Sequence, residues 1–274
     1  MFTLNCKGRL LAIREPIVMG IINATPDSFF RGSRRESVLD ALETAENMLA
    51  QGAAILDIGG QSTRPGSKPL TAEDELKRVL PVVDAINRRF PEAFISIDTY
   101  HAMVAREAVS AGAVIVNDIS GGSFDEAMLD TVASLHTPYV CMHNKGNPEQ
   151  MHSITPYEDV TREVLDYFIA KKAICLEKGI TDLIIDPGFG FSKTADLNFQ
   201  LLKQLEVFSV LEKPLLIGVS RKSTIYKTLG ITAEKALNGT TVLHTAALLK
   251  GAAILRVHDV REAMEAITLT NRLK

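Results

Sequence analysis

Eight short apolar runs recur along the 274-residue chain, and nothing constrains its fold more. They are "IVMGIINAT", "AAILDIGG", "FISIDT", "AVIVNDIS", "PYVCMH", "DLIIDPG", "PLLIGVS" and "AAILRVHD". Each is nearly continuous in apolar residues rather than alternating. That pattern suits strands covered on both faces, as in a parallel sheet.

Helical patterns separate the runs. "ESVLDALETAENMLAQG" sets Val38, Leu42, Ala45 and Leu49 on one stripe and ends at Gly52, a residue suited to a C-terminal cap. "TAEDELKRVLPVVDAINRRF" opens with Thr71 and Asp74, close to a capping box, and its internal Pro81 predicts a kink or a split. "PYEDVTREVLDYFIAKKAICLEKG" predicts a helix from Pro156 to Gly179. Similar patterns occupy 101–112, 124–135, 195–211, 234–250 and 259–272. Eight strands alternating with eight helices predict a (β/α)8 TIM barrel, an α/β fold, as one domain over residues 1–274. Two short runs around Gly8 predict an N-terminal β-hairpin that closes the barrel bottom. An open doubly wound sheet is the alternative architecture.

In this barrel the reaction site forms at the C-terminal ends of the strands. Those ends carry Asn23, Thr63, Arg64, Asp98, Asn117, Asp118, His143, Asp186, Ser220, Arg221, Lys222, Arg256 and His258. Exit into a loop accounts for some polar residues at strand ends. It accounts less well for "ISIDT", "VIVNDI" and "LIIDPG", where carboxylates or a carboxamide follow apolar runs directly. A buried carboxylate needs a partner, and a ligand can be that partner.

Asp98, Asn117 and Asp186 suit a flat, nitrogen-rich heterocycle, because a carboxylate accepts two parallel N–H bonds and a carboxamide both donates and accepts. Arg221, Lys222, Arg256 and His258 supply a cationic side. Arg256 and His258 stand two apart on one strand and so share a face, where they predict an anion. Asn23 suits a Mg²⁺ that keeps most of its waters beside a diphosphate; an Asx-turn into "TPDS" explains it equally well. "DPGFGFSKT" has neither Walker nor dinucleotide-loop spacing. Its glycines permit close backbone approach to a ligand, and Phe191 there either stacks on a ring or packs in the core. Two long loops, Ala24–Glu36 and Gln61–Thr71, are expected on the active face as lids. His244 is expected to be a satisfied core residue, and His101, His136 and His152 lack metal-ligand spacing.

Composition excludes several classes. A net charge near −3 suggests neither a nucleic-acid nor a membrane surface, and no run of about 20 apolar residues predicts a membrane span. Cys6, Cys141 and Cys175 show no Cys-x-x-Cys spacing, so a reducing cytoplasm is the simplest setting.

The segments "MGIINATPDSF", "DIGGQSTRPGS", "SIDTYHAMVAREAVSAGAVIVNDISGG", "IIDPGFGFSKT", "LLIGVSRKS" and "ILRVHDV" together resemble the dihydropteroate synthase family of pterin-binding barrels. The match runs in order from about Met19 to the C-terminus. The resemblance implies a transferase of folate biosynthesis that joins 6-hydroxymethyl-7,8-dihydropterin diphosphate to p-aminobenzoate, is open to sulfonamide competition, and usually forms a homodimer. It implies pterin binding by Asp98, Asn117, Asp186, Lys222, Met142 and Phe191. It implies diphosphate and Mg²⁺ positions at Asn23, Arg256 and His258, and p-aminobenzoate positions at Thr63, Arg64, Ser220 and Lys222. Catalytic roles fall to Arg256, His258 and Lys222.

The chain also departs from the family pattern. Phe30 and Arg31 replace a Ser and an Asp, Gln61 replaces a Glu, and Ser192 stands where Gly or Ala is common. Two other functions are consistent with a pterin-binding barrel: a catalytically impaired paralogue, which only Arg31 and Gln61 favour, and a methyltetrahydrofolate-binding methyltransferase domain, which "SRKS" and "RVHD" argue against.

Overall fold

The computed structural model describes residues 1–24, 34–61, 69–146 and 156–273. Strands β1 (Phe2–Cys6) and β2 (Arg9–Ile13) form the N-terminal antiparallel hairpin, turning at Lys7 and Gly8, both at positive φ. The eight apolar runs become β3 (Ile17–Asn23), β4 (Ile55–Gly59), β5 (Phe94–Asp98), β6 (Ile115–Asp118), β7 (Tyr139–Met142), β8 (Leu183–Asp186), β9 (Leu216–Ile217) and β10 (Ile254–Val257). They form one parallel sheet in the order β8-β7-β6-β5-β4-β3-β10-β9. A parallel bridge between Ile185 and Leu215 joins its two edges, so the sheet closes into the expected barrel.

Helices α1 (Arg34–Ala50), α2 (Ala72–Arg89), α3 (Ala102–Ala111), α4 (Met128–Leu135), α5 (Val160–Glu177), α6 (Ala195–Lys203), α7 (Ser223–Leu229), α8 (Leu237–Leu249) and α9 (Val260–Thr270) cover the outside. Most expected helices appear with adjusted ends. Thr71 caps α2 by accepting from the Asp74 N–H at 3.2 Å, and α2 runs unbroken through Pro81 rather than splitting. The helix predicted from Pro156 begins at Val160 instead, because the Asp159 carboxylate accepts from the Thr161 and Arg162 N–H groups. The pattern over 195–211 divides into α6 and a 3-10 turn, Leu205–Leu211. The short helix α7 has no counterpart among the sequence expectations.

Strand alternation builds the interior in layers. Met19, Ile55, Ile115, Val140, Ile184, Leu216 and Ile254 pack with Leu4, Cys6, Leu11 and Ile13 of the hairpin, which closes the bottom as expected. Two residues further along the same strands stand Asp57, Asn117, Met142, Asp186 and Arg256. Each therefore points into the barrel above an apolar floor. The opposite strand faces meet the helices in the larger core, with Tyr139, Phe168 and Phe208 fully buried.

Candidate active site

The interior layer above the floor is a charge cluster. Arg256 donates from Nε to Asp57 Oδ2 at 2.6 Å and from one terminal nitrogen to Asp98 Oδ2 at 2.5 Å. Asn117 Nδ2 donates to the same Asp57 oxygen at 3.0 Å. Asp57 is wholly buried, and its second oxygen, Oδ1, has no hydrogen-bond partner. Asp57 is absent from the residues expected at the strand ends, although a carboxylate inside "AAILDIGG" demands a partner as strongly as they do.

Burial pushes Asp98 up to about 7, assisted by the Asp57 charge and opposed by the Arg256 guanidinium. Burial also raises Asp186, against the Lys222 ammonium and the Gly188 N–H, which donates to Asp186 Oδ1 at 2.8 Å. Burial pulls Lys222 down to about 8, with Asp186 opposing. Lys222 Nζ donates to the Phe189 carbonyl at 2.6 Å and lies 4.5 Å from the centre of the Phe191 ring. Three acids (Asp57, Asp98, Asp186) and two cations (Arg256, Lys222) thus share the barrel mouth. The cluster of three acids favours a ligand with N–H donors or a developing positive charge.

Met142 and Phe191 pack with Tyr100 and Ile119 in a small apolar cluster edged by Phe124, which forms a wall at the mouth. Tyr100, Ile119 and Phe124 were not anticipated. Tyr100 also receives the Gln61 Nε2 hydrogen bond at 2.8 Å, while Gln61 Oε1 accepts from the Leu70 N–H at 3.2 Å. The departure at Gln61 is thereby explained locally: both ends of the amide are used.

Ser220 and His258 pair at the rim. Ser220 Oγ lies 3.0 Å from His258 Nδ1 and accepts from the His258 backbone N–H at 3.2 Å. Desolvation and then the Arg256 charge lower His258 to about 4, so its ring is neutral at pH 7. Asn23 ends β3, beside Gly59 of β4.

The expected cationic side is therefore corrected. Arg221 turns away to a bidentate pair with Asp259, at 2.8 and 2.7 Å, and to the carbonyls of Ala233 and Glu234. His258 is not a cation, and Arg256 sits among the acids rather than opposite them. Asp118 faces away from the interior, accepting from Tyr139 Oη and from the Ser120 and Gly122 N–H groups. His143 is buried against Lys193 and does not line the mouth. His244 is buried as expected but not satisfied, since its Nε2 has no partner. Thr63, Arg64, Arg31 and most of both long loops lie outside the described residues.

A family model described as pterin binding enzyme matches residues 19–258. The chain is 44% identical over 263 residues to dihydropteroate synthase of Escherichia coli K12, covering 95% of this chain and 93% of that protein. The chain belongs to the dihydropteroate synthase family. A second relative, from Synechocystis, is 44% identical over 93% of this chain and 88% of its own. Among solved structures, the Yersinia pestis enzyme in a sulfonamide drug complex superposes with a TM-score of 0.93 at 38% identity, covering 99% of both chains. The Xanthomonas albilineans enzyme with 4-aminobenzoic acid superposes at 0.92 and 38% identity, over 99% of this chain and 97% of that one. The same enzyme has been solved with 7,8-dihydropteroate. The family's barrel is the fold found here, and its activity is that of a transferase in folate biosynthesis.

Proposed function

We propose that this barrel condenses 6-hydroxymethyl-7,8-dihydropterin diphosphate with p-aminobenzoate, forming 7,8-dihydropteroate and releasing diphosphate. The observation that carries the reading is the convergence of Asp57, Asp98, Asn117, Asp186, Lys222 and Arg256 from six places in the chain on one barrel mouth. Asp186 and Asn117 take the N–H-rich edge of the pterin, with Met142 and Phe191 along its face. The C–O bond to diphosphate breaks as the aromatic amine forms its C–N bond at the same carbon, and the amine then sheds a proton. Positive charge spreads into the ring as diphosphate leaves. Fixed carboxylates that need no reorganisation stabilise that charge.

Arg256 uses Nε and one terminal nitrogen on carboxylates, which leaves its other terminal nitrogen for a diphosphate oxygen. His258, neutral, contributes a hydrogen bond rather than charge. Ser220, Lys222, Thr63 and Arg64 hold p-aminobenzoate, and alignment of the amine supplies much of the rate.

Among the described residues no group of three or more His, Cys, Asp or Glu could hold a metal ion. A Mg²⁺ bound chiefly by substrate phosphates needs only one or two protein oxygens, and Asn23 at the end of β3 provides one. Bound there, Mg²⁺ would neutralise charge on the leaving diphosphate. We further propose one pterin-binding domain over residues 1–274, acting in the cytoplasm as a homodimer. No helix among the described residues is long and apolar enough to cross a membrane.

The test is diphosphate release from purified protein given dihydropterin diphosphate and Mg²⁺, with and without p-aminobenzoate. Release that requires p-aminobenzoate and yields dihydropteroate supports the reading. Pterin binding without release would leave the pocket and remove the catalysis.

A further inference from the structure

Lys193 is a lysine placed where lysines are rarely found: it is 7% exposed, on the far side of the loop that follows β8. All three ammonium N–H groups find acceptors, namely Gly188 O at 3.1 Å, Phe191 O at 3.3 Å and His143 Nδ1 at 3.0 Å. For Nδ1 to accept, the His143 ring must be neutral with its proton on Nε2. Its burial, and then the Lys193 charge, keep it so by lowering its pKa well below the ordinary value.

The loop itself is wound tightly around this ammonium. Gly188, Gly190 and Ser192 all take positive φ, and a Cβ at Gly188 would collide with the His143 carbonyl oxygen. Asn198 fastens the outer side, accepting from the Gly190 N–H at 2.9 Å and donating to Thr194 O at 2.7 Å. The opposite surface of the same loop meets Lys222 twice, through the Phe189 carbonyl and the Phe191 ring. One turn of chain therefore has a buried cation inside and an active-site cation outside.

We propose that Lys193 is a positioning residue, which holds the 186–194 loop in the one shape that aims the Phe189 carbonyl and the Phe191 ring at Lys222 and so completes the pterin site. The proposal rests on the pterin reading above. Lys193 touches neither substrate in that reading; it acts through the two carbonyls it bridges. A neutral, apolar side chain in its place would take one donor each from Gly188 O, Phe191 O and His143 Nδ1, leaving the Phe191 N–H turn bond at 3.2 Å to hold Gly188 O, and the loop would loosen toward water.

The groups facing Lys193 are Asp186 from β8, His143 and Lys145 after β7, and Lys222 before α7. Glu163 on α5 faces it through Lys145, which it pairs with at 2.6 Å. Burial, with Lys222 and Lys145 and against Asp186, brings Lys193 down to about 7. Deprotonated, the amine still keeps two N–H donors for the two carbonyls, so the loop is held on either side of that value.

Lys193→Met is compared with the unmodified protein by two readouts. The first is calorimetric binding of dihydropterin diphosphate without p-aminobenzoate; the second is local hydrogen–deuterium exchange. The expected result is a loss of pterin affinity of about tenfold or more, with faster exchange confined to the 186–194 segment. A residue serving only global stability would lower the melting temperature and raise exchange everywhere, leaving affinity per folded molecule unchanged. Affinity within about twofold, or unchanged exchange in the segment, overturns the proposal. If the unmodified protein binds no pterin, the functional reading falls, and the exchange comparison alone decides the role of Lys193. If Lys193→Met does not fold, Lys193→Gln, whose amide is shorter and uncharged, takes its place in the same two readouts. Weaker pterin binding with faster exchange in 186–194 supports the proposal, and unchanged affinity and exchange overturn it.

Discussion

Asp57 and Arg256, 199 residues apart in the chain, meet at 2.6 Å above the apolar floor of the barrel. The same carboxylate oxygen receives Asn117, so one buried acid fixes two groups of the barrel mouth. Asp57→Asn is expected to keep the fold, because Arg256 retains Asp98 and the carboxamide keeps the shape. Arg256 would then relax toward Asp98, and kcat/KM for the pterin diphosphate should fall about 10²-fold. Steady-state kinetics with both substrates checks this. Activity within a few-fold of the unmodified protein would show that Arg256 needs no second anchor.

Asp186 carries a different load. It is buried beside Lys222, with one oxygen held by the Gly188 N–H. Asp186→Ala should weaken pterin binding by about 2–4 kcal/mol, since charged hydrogen bonds are lost and Lys222 keeps only part of its counter-charge. Calorimetry reads the difference directly, and unchanged affinity would remove Asp186 from the ring pocket.

Position at the end of an apolar run made much of this site legible in advance. Asn117 stands two after Ile115, Asp186 two after Ile184 and Arg256 two after Ile254, and all three point inward. Asp57 likewise stands two after Ile55, but "IGG" follows it, so it does not mark the end of its apolar run. Arg221 misled for the opposite reason. Beside Lys222 in sequence it looks like a second cation for the site, yet its positive φ turns the side chain to Asp259. Charge alone does not tell which way a loop residue faces, and backbone conformation of that kind leaves no mark on composition. Lys193 was hidden likewise, since its acceptors are two carbonyls of its own loop and a histidine 50 residues away.

Lys222 gives the pH dependence of the reaction a definite sign. Burial lowers it to about 8, so it is charged below that value and neutral above. A reaction that needs the ammonium should keep its kcat/KM up to about pH 8 and lose it as pH rises further. In Lys222→Met the remaining activity should be low and should lack this alkaline limb. A limb that survives the substitution would belong to another group.

Glu75 carries a penalty that the fold retains. Its carboxyl is 1% exposed under Gly60; Oε2 accepts from Thr99 Oγ at 2.7 Å, and Oε1 has no partner. Burial, only partly offset by Thr99, raises it from 4.5 to about 7. Folding therefore favours the protonated form. Its contribution is full below pH 4.5, fades as pH rises toward 7, and above that leaves a buried carboxylate short of one partner. Glu75→Gln keeps the Thr99 bond and removes the charge. It should stabilise the protein by about 1–2 kcal/mol at pH 8 and by almost nothing at pH 5, where the native acid is already protonated. Urea unfolding at the two pH values checks the difference. An equal gain at both would mean that packing rather than ionisation governs this site.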